Sequence, residues 1–163
     1  MKEVVYPEKE VEYKASVDEK GNVVLKKKTE IKKGRTSRAR GGAFELKVRK
    51  DLEEKKWIVS KWSENVDLEK DVLIVAKRKF NPFSKALTLG TGFPDFIAFQ
   101  KMSDYYKVVG VECKVNGLLS KVEKEKCVWL LKKNIFNEIW VAKKNEREIE
   151  YTNFSEKWKK FLE

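Results

Sequence analysis

Histidine is absent from the 163-residue chain. That excludes Ser-His-Asp and Cys-His nucleophilic triads, histidine general bases, His-ligated zinc or haem, and the histidine-dependent nuclease classes. Cysteine is nearly absent. Cys113 and Cys127 are too few for a four-thiolate zinc site or a disulfide framework, so a reducing compartment fits best. No apolar run nears the roughly 18 residues of a membrane span. The opening residues 1–7 lack the apolar centre of a secretion signal. The expectation is a soluble, cytoplasmic protein, or one of the host cytoplasm if the source is a virus or plasmid. Any chemistry must run on carboxylates, lysines and a hard metal ion.

What is abundant is charge. Hydrophobic residues make up 41% of the chain, enough for a core in one domain with an appendage, and charged residues make up 39%. Lys and Arg number 37 against 26 Asp and Glu, a net charge of +11. Such a surplus favours a polyanionic partner, and nucleic acid before membrane. Most of it is concentrated: residues 26–50 hold eleven Lys or Arg against Glu30 and Glu45, a surplus of nine. Within this run, residues 34–42 read as a flexible, phosphate-seeking arm. Lys32, Lys33, Arg35, Arg38 and Arg40 are its candidate DNA contacts, with Lys121 further along. The bland alternative is a solvated linker.

Alternation predicts two strands in an N-terminal hairpin, on Val11, Tyr13, Ala15 and Val17 and then on Val23, Leu25, Lys27, Thr29 and Ile31. Residues 1–33 are read as this hairpin arm and 34–163 as the main domain. Phe44, Val48 and Leu52 recur at i, i+4 and i+8, which predicts a helix over 43–56. Glu45 borders its apolar face, an odd place for a lone carboxylate. A strand follows at 57–62. Residues 63–92 read as an irregular insert carrying a short strand at 72–76. Strands are predicted at 92–99 and 106–114, a helix at 120–133, a strand at 138–142, another at 148–151, and a last helix capped by Asn153 and Glu156. Trp129 and Trp140 are assigned to the core. The order implies an α/β fold, a mixed β-sheet flanked by helices.

Four residues carry chemistry. Glu112 and Lys114, two apart on a strand, share a face. Asp95 follows Pro94 at the start of the neighbouring strand. If the two strands pair as a hairpin, Asp95 approaches Glu112. Two close carboxylates stay ionised together only with a cation between them. Mg²⁺ fits, since it takes carboxylate oxygens and keeps several waters, with Mn²⁺ as a substitute. The Cys113 backbone carbonyl adds a hard oxygen ligand. Lys114 can orient a water or neutralise charge on a phosphate oxygen. The bland alternative makes Asp95 a turn cap and Glu112–Lys114 a solvent-facing pair on an edge strand.

Gly92-Phe93-Pro94-Asp95, followed 17 residues after Asp95 by Glu112-Cys113-Lys114, resembles the PD-(D/E)XK nuclease superfamily. Glu45, in Gly41-Gly42-Ala43-Phe44-Glu45, matches that superfamily's upstream carboxylate. The order of elements matches too, over residues 38–143, about two thirds of the chain. Within the superfamily the chain is similar to archaeal Holliday junction resolvases, and residues 118–131 look like the helix that follows the lysine in VRR-NUC-type nucleases. The resemblance implies a restriction-endonuclease-like core and a Mg²⁺-dependent endodeoxyribonuclease that hydrolyses phosphodiester bonds, with roles in DNA recombination and repair. It implies catalytic Glu45, Asp95, Glu112 and Lys114. Asp95, Glu112 and the Cys113 carbonyl would hold the metal, and Glu45 would support that site or a second ion.

The alternative from another class is a non-catalytic nucleic-acid-binding protein on the same fold. A third reading, a small assembly protein whose charge only confers solubility, predicts no DNA binding at moderate salt. Cutting two strands asks for two sites, and the thin hairpin face together with Phe80, Phe83 and Leu87 offers surfaces to bury. A homodimer is therefore expected.

Overall fold

Two apolar periodicities, one of helix and one of strand, build the layers of residues 41–162. A computed structural model describes residues 11–17, 22–75, 78–81, 86–89, 92–146 and 148–162. The elements in chain order are β1 (Tyr13–Val17), β2 (Val23–Lys27), α1 (Lys28–Glu54), β3 (Ile58–Lys61), β4 (Glu64–Asp67), β5 (Val72–Val75), β6 (Arg78–Asn81), β7 (Ala86–Leu89), β8 (Phe96–Lys101), β9 (Tyr106–Cys113), α2 (Lys121–Lys132), β10 (Glu138–Asn145), β11 (Glu148–Asn153) and α3 (Phe154–Lys157), followed by a 3₁₀ turn at Lys159–Phe161. The chain divides between Arg40 and Gly41 into two compact units.

In the larger unit a five-stranded mixed sheet runs in the order β11-β10-β9-β8-β3. Only β9 and β10 are parallel, and α2 makes the crossover between them. Side chains alternate across the sheet. Phe96, Ala98, Val109, Val111 and Ala142 pack with Phe44, Val48 and Leu52 of α1. Ile139 and Val141 point the other way, toward Cys127 and Leu130 of α2, together with Phe93, Phe136 and Phe154. The expected stripes on both helices are thus the buried ones.

Both long helices end in the same backbone device. Lys56 and Asn134 adopt φ of 68° and 55°. Trp57 N donates to Leu52 O and Lys56 N to Glu53 O; Ile135 N donates to Leu130 O and Asn134 N to Leu131 O. This is the Schellman closure, which satisfies last-turn carbonyls and drops Trp57 and Phe136 into the core.

Several expectations are corrected. The second strand stops at Lys27, paired with Tyr13, and α1 begins at Lys28, so residues 34–42 are helical and not a flexible arm. Most of 28–40 is Lys, Arg, Ala and Glu, strong helix formers, and they outweigh the glycine at 34. Residues 63–92 are more regular than expected: β4 pairs with β5 and β6 with β7, each antiparallel. Val66 of β4 is buried against the α2 side of the core. Trp129 and Trp140 are half-buried at the core's margin, Trp129 Nε1 donating to Asp71. The final helix keeps its Asn153 cap but is one turn long, and Phe161 is exposed. Phe83 lies outside the described residues, and Phe80 and Leu87 are known by strand position alone. Among the described residues no helix is long and apolar enough to cross a membrane.

Candidate active site

The pairing of β8 with β9 decides the site. Phe96 stands opposite Val111, so the residue before Phe96 meets the residue after Val111: Asp95 meets Glu112. The Asp95 carboxylate accepts the Cys113 N–H at 2.8 Å. The Asp95 carbonyl accepts from Trp62 N at 3.1 Å, which ties the turn to the end of β3. Gly110 makes this approach possible. A Cβ there would lie 2.8 Å from Pro94 Cγ and 3.2 Å from Phe136, so only glycine lets the Phe93–Pro94–Asp95 segment close onto β9.

Among the described residues Glu112 is the one charged residue of the buried set, 4% exposed. β9 lies between β8 and β10, so the edge-strand alternative fails. Lys114 Nζ lies 3.1 Å from Glu112 Oε1 and 2.5 Å from Glu123 Oε1. Glu112 Oε2 is buried with no hydrogen-bond partner.

Burial raises the Asp95 carboxyl to about 6; the Cys113 N–H opposes the rise and the Glu45 charge adds to it. Burial, with Asp95's charge next, raises Glu112 to about 8 against the pull of Lys114. Glu123 goes the other way. Burial alone would raise it, but hydrogen bonds from Lys114 and Ser120 outweigh that and hold it below its ordinary value. Lys114 is drawn down by burial and pushed up further by Glu123 and Glu112. The firm anionic partner of Lys114 is therefore Glu123, while Asp95 and Glu112 form a pair that resists ionising together.

Glu45 stands on α1, half-buried, and its charge reaches Asp95 and Cys113. The four expected residues thus belong to one neighbourhood of the larger unit. Sequence reasoning missed Glu123. Its signal was present: Ser120-x-x-Glu123 ahead of an apolar run is a capping box. Ser120 Oγ accepts from Glu123 N, and Glu123 Oε2 accepts from Ser120 N at 2.7 Å. Lys61, whose charge favours ionised Asp95, was also missed.

Among the described residues, no group of three or more His, Cys, Asp or Glu side chains stands as a ready metal cage. The donor set nonetheless suits a hard divalent cation. Two carboxyls compete for ionisation, and one buried oxygen, Glu112 Oε2, lacks any donor. A cation resolves both.

Lys32, Lys33, Arg35, Arg38 and Arg40 are all exposed along α1. Within the smaller unit, Lys14, Lys28, Lys32 and Arg35 surround Ile31 in an open cleft of about 680 Å³. Lys121 is largely exposed at the start of α2, 3.9 Å from Glu125.

No protein-family model matches the chain, and comparison with curated proteins and with solved structures gives no match.

Proposed function

We propose that the chain is a metal-dependent DNA endonuclease with a PD-(D/E)XK-type, restriction-endonuclease-like core. The observation that carries the reading is the Asp95–Glu112 pair, held across β8 and β9 beside Lys114 at 3.1 Å from Glu112. The helix, three antiparallel strands, crossover helix and parallel fourth strand agree with what the resemblance implies. A bound Mg²⁺ or Mn²⁺ supplies an acidified water and screens phosphate charge. Asp95, Glu112 and the Cys113 carbonyl hold it, and Glu45 supports that site or a second ion. Lys114 orients the attacking water and meets the charge that grows on the phosphate oxygen. The cations of α1 and Lys121 grip the DNA backbone. A protein that only bound nucleic acid would gain nothing from two paired acids, one of them buried, beside phosphate.

The homodimer belongs to this reading. Tyr13, Val23 and Leu25 are exposed on the hairpin, and two-fold pairing would present two sites to a symmetric substrate. Light scattering at micromolar concentration checks it: a dimer mass is expected, and a monomer that nicks one strand removes the dimer.

The deciding experiment is cleavage of a panel of duplex, nicked, flap, single-stranded and four-way-junction DNA with Mg²⁺, Mn²⁺ or EDTA. Cutting of at least one substrate, abolished by EDTA and by Asp95→Ala, is expected. Cutting that survives in EDTA, or no cutting of any substrate, removes the reading.

A further inference from the structure

The chain's last described turn carries a cluster that the proposed site does not use. Phe154 is buried and stacks on Trp158, with ring centres 5.4 Å apart and planes 27° from parallel. The 3₁₀ turn Lys159–Phe161 then packs against α2. Lys124 Nζ stands 4.9 Å from the centre of the Phe161 ring, and Lys157 Nζ 4.9 Å from that of Trp158. Between them opens a cleft of about 440 Å³ lined by Lys157, Trp158, Lys159, Lys160 and Phe161. Among the described residues, two aromatic rings and three lysines line it, and no acid does. Phe161 keeps 39% of its surface exposed.

We propose that this cleft binds an unpaired strand of nucleic acid, one base stacking on Phe161 while Lys124, Lys157, Lys159 and Lys160 hold the flanking phosphates. Rings interleaved with cations suit single strands, because every unpaired base offers a π-face and a duplex hides it. The volume lies within the range of small-ligand clefts, about 300–1,000 Å³. Lys124 follows Glu123 directly on α2, and Glu123 holds Lys114. The first turn of α2 therefore carries both the clamp on the proposed catalytic lysine and the cation over the Phe161 ring. A strand held on Phe161 thus lies against the same helix that carries the clamp on Lys114. The biological partner rests on the nuclease reading and sharpens it: the substrate is DNA with an unpaired stretch beside the cut, such as a flap, a fork or a junction arm.

The test separates the two readings by measuring binding without cutting. In EDTA, fluorescence anisotropy compares a labelled oligothymidylate with a labelled duplex of equal length, for the wild type, Phe161→Ala, Phe161→Leu and Phe161→Trp. The expected result is a loss of single-strand affinity of about 5- to 100-fold in Phe161→Ala and Phe161→Leu, the range for a lost stacked base. Phe161→Trp retains affinity, and duplex binding is unchanged throughout. Equal losses on both DNAs, or none on either, overturn the proposal. If the cleft behaves as expected while no DNA is cut in Mg²⁺, the nuclease reading falls and the single-strand site stands.

Discussion

The smaller and the larger unit use charge in opposite ways. Among the described residues of 11–40 one ion pair forms, Lys28 with Glu12, and both partners are more than half exposed. The other cations of that stretch face water. In residues 41–162 the charges close on each other. Lys114 is held by Glu112 and Glu123, Lys107 by Glu138, Lys133 by Asp71, and Lys126 donates to Asn65. The packing differs in parallel. Two apolar layers sandwich the larger unit's sheet, whereas the hairpin leaves Tyr13, Val23 and Leu25 in solvent. One unit spends its side chains on its own fold and site. The other leaves charge and apolar surface in solvent.

The contrast breaks most sharply at the Asp95–Glu112 pair and its lysine. Replacing Asp95, Glu112 or Lys114 by Ala should lower DNA cleavage by at least about 100-fold, the scale of one lost electrostatic group in an active site. DNA affinity in EDTA should hold, since the α1 cations are untouched. Cleavage rates and binding isotherms on the same substrate check both halves.

Packing gives the next largest difference. Leu130, fully buried on α2, should cost about 2–5 kcal/mol when cut back to Ala. Leu25→Ala, at an exposed hairpin position, should stay within about 0.5 kcal/mol. Urea melts of the two variants measure it, and similar losses in both would mean that the hairpin face is buried in solution.

The Asp95–Glu112 pair also sets a pH dependence whose sign follows from its shifts. Asp95 moves from 3.8 up to about 6 and Glu112 from 4.5 up to about 8. Between those values the folded chain holds more protons than the unfolded one, so metal-free stability falls as pH rises. The stabilisation is complete below about pH 4 and is lost as pH rises through about 6 and then 8. A divalent cation favours the ionised pair. The Tm gain on adding Mg²⁺ should therefore be larger at pH 8 than at pH 5, and Asp95→Asn should reduce both the metal gain and the fall. A metal gain that shrinks with pH would contradict this.

The exposed cations give the finest distinction. Neutralising Arg35, Arg38 and Arg40 together should flatten the slope of log affinity against log salt by up to about 0.9 per lost phosphate contact. Cleavage at saturating DNA should be nearly unchanged. An unchanged slope would make these arginines solvated helix surface and nothing more.

The larger unit was legible because its signals are periodic. Phe44, Val48 and Leu52 announced the buried stripe of α1, and the apolar Val108, Val109 and Val111 marked 106–114 as the strand that is β9. Asp95, Glu112 and Lys114 were legible because two strand faces in hairpin register allow one meeting point. What escaped lacks a period. The polar first half of α1 carries no apolar stripe, so its charge read as flexibility. β4 is short, and Val66 is its one buried residue. Glu123 read as one acid among many because its two partners, Ser120 and Lys114, come from the helix cap and from the end of β9. Gly110 carried no signal within its predicted strand, because what matters is its missing side chain, which admits Pro94 from across the hairpin.

The proposed chemistry requires that Asp95 and Glu112 together hold a divalent cation. Calorimetric titration of the chain with Mn²⁺ at pH 7.5 tests it most directly, run in two buffers of different ionisation enthalpy so that released protons are counted. The account predicts binding by the wild type with net proton release, and loss of that binding in both Asp95→Asn and Glu112→Gln. Wild-type binding that both variants retain undiminished, or no wild-type binding at all, would contradict it.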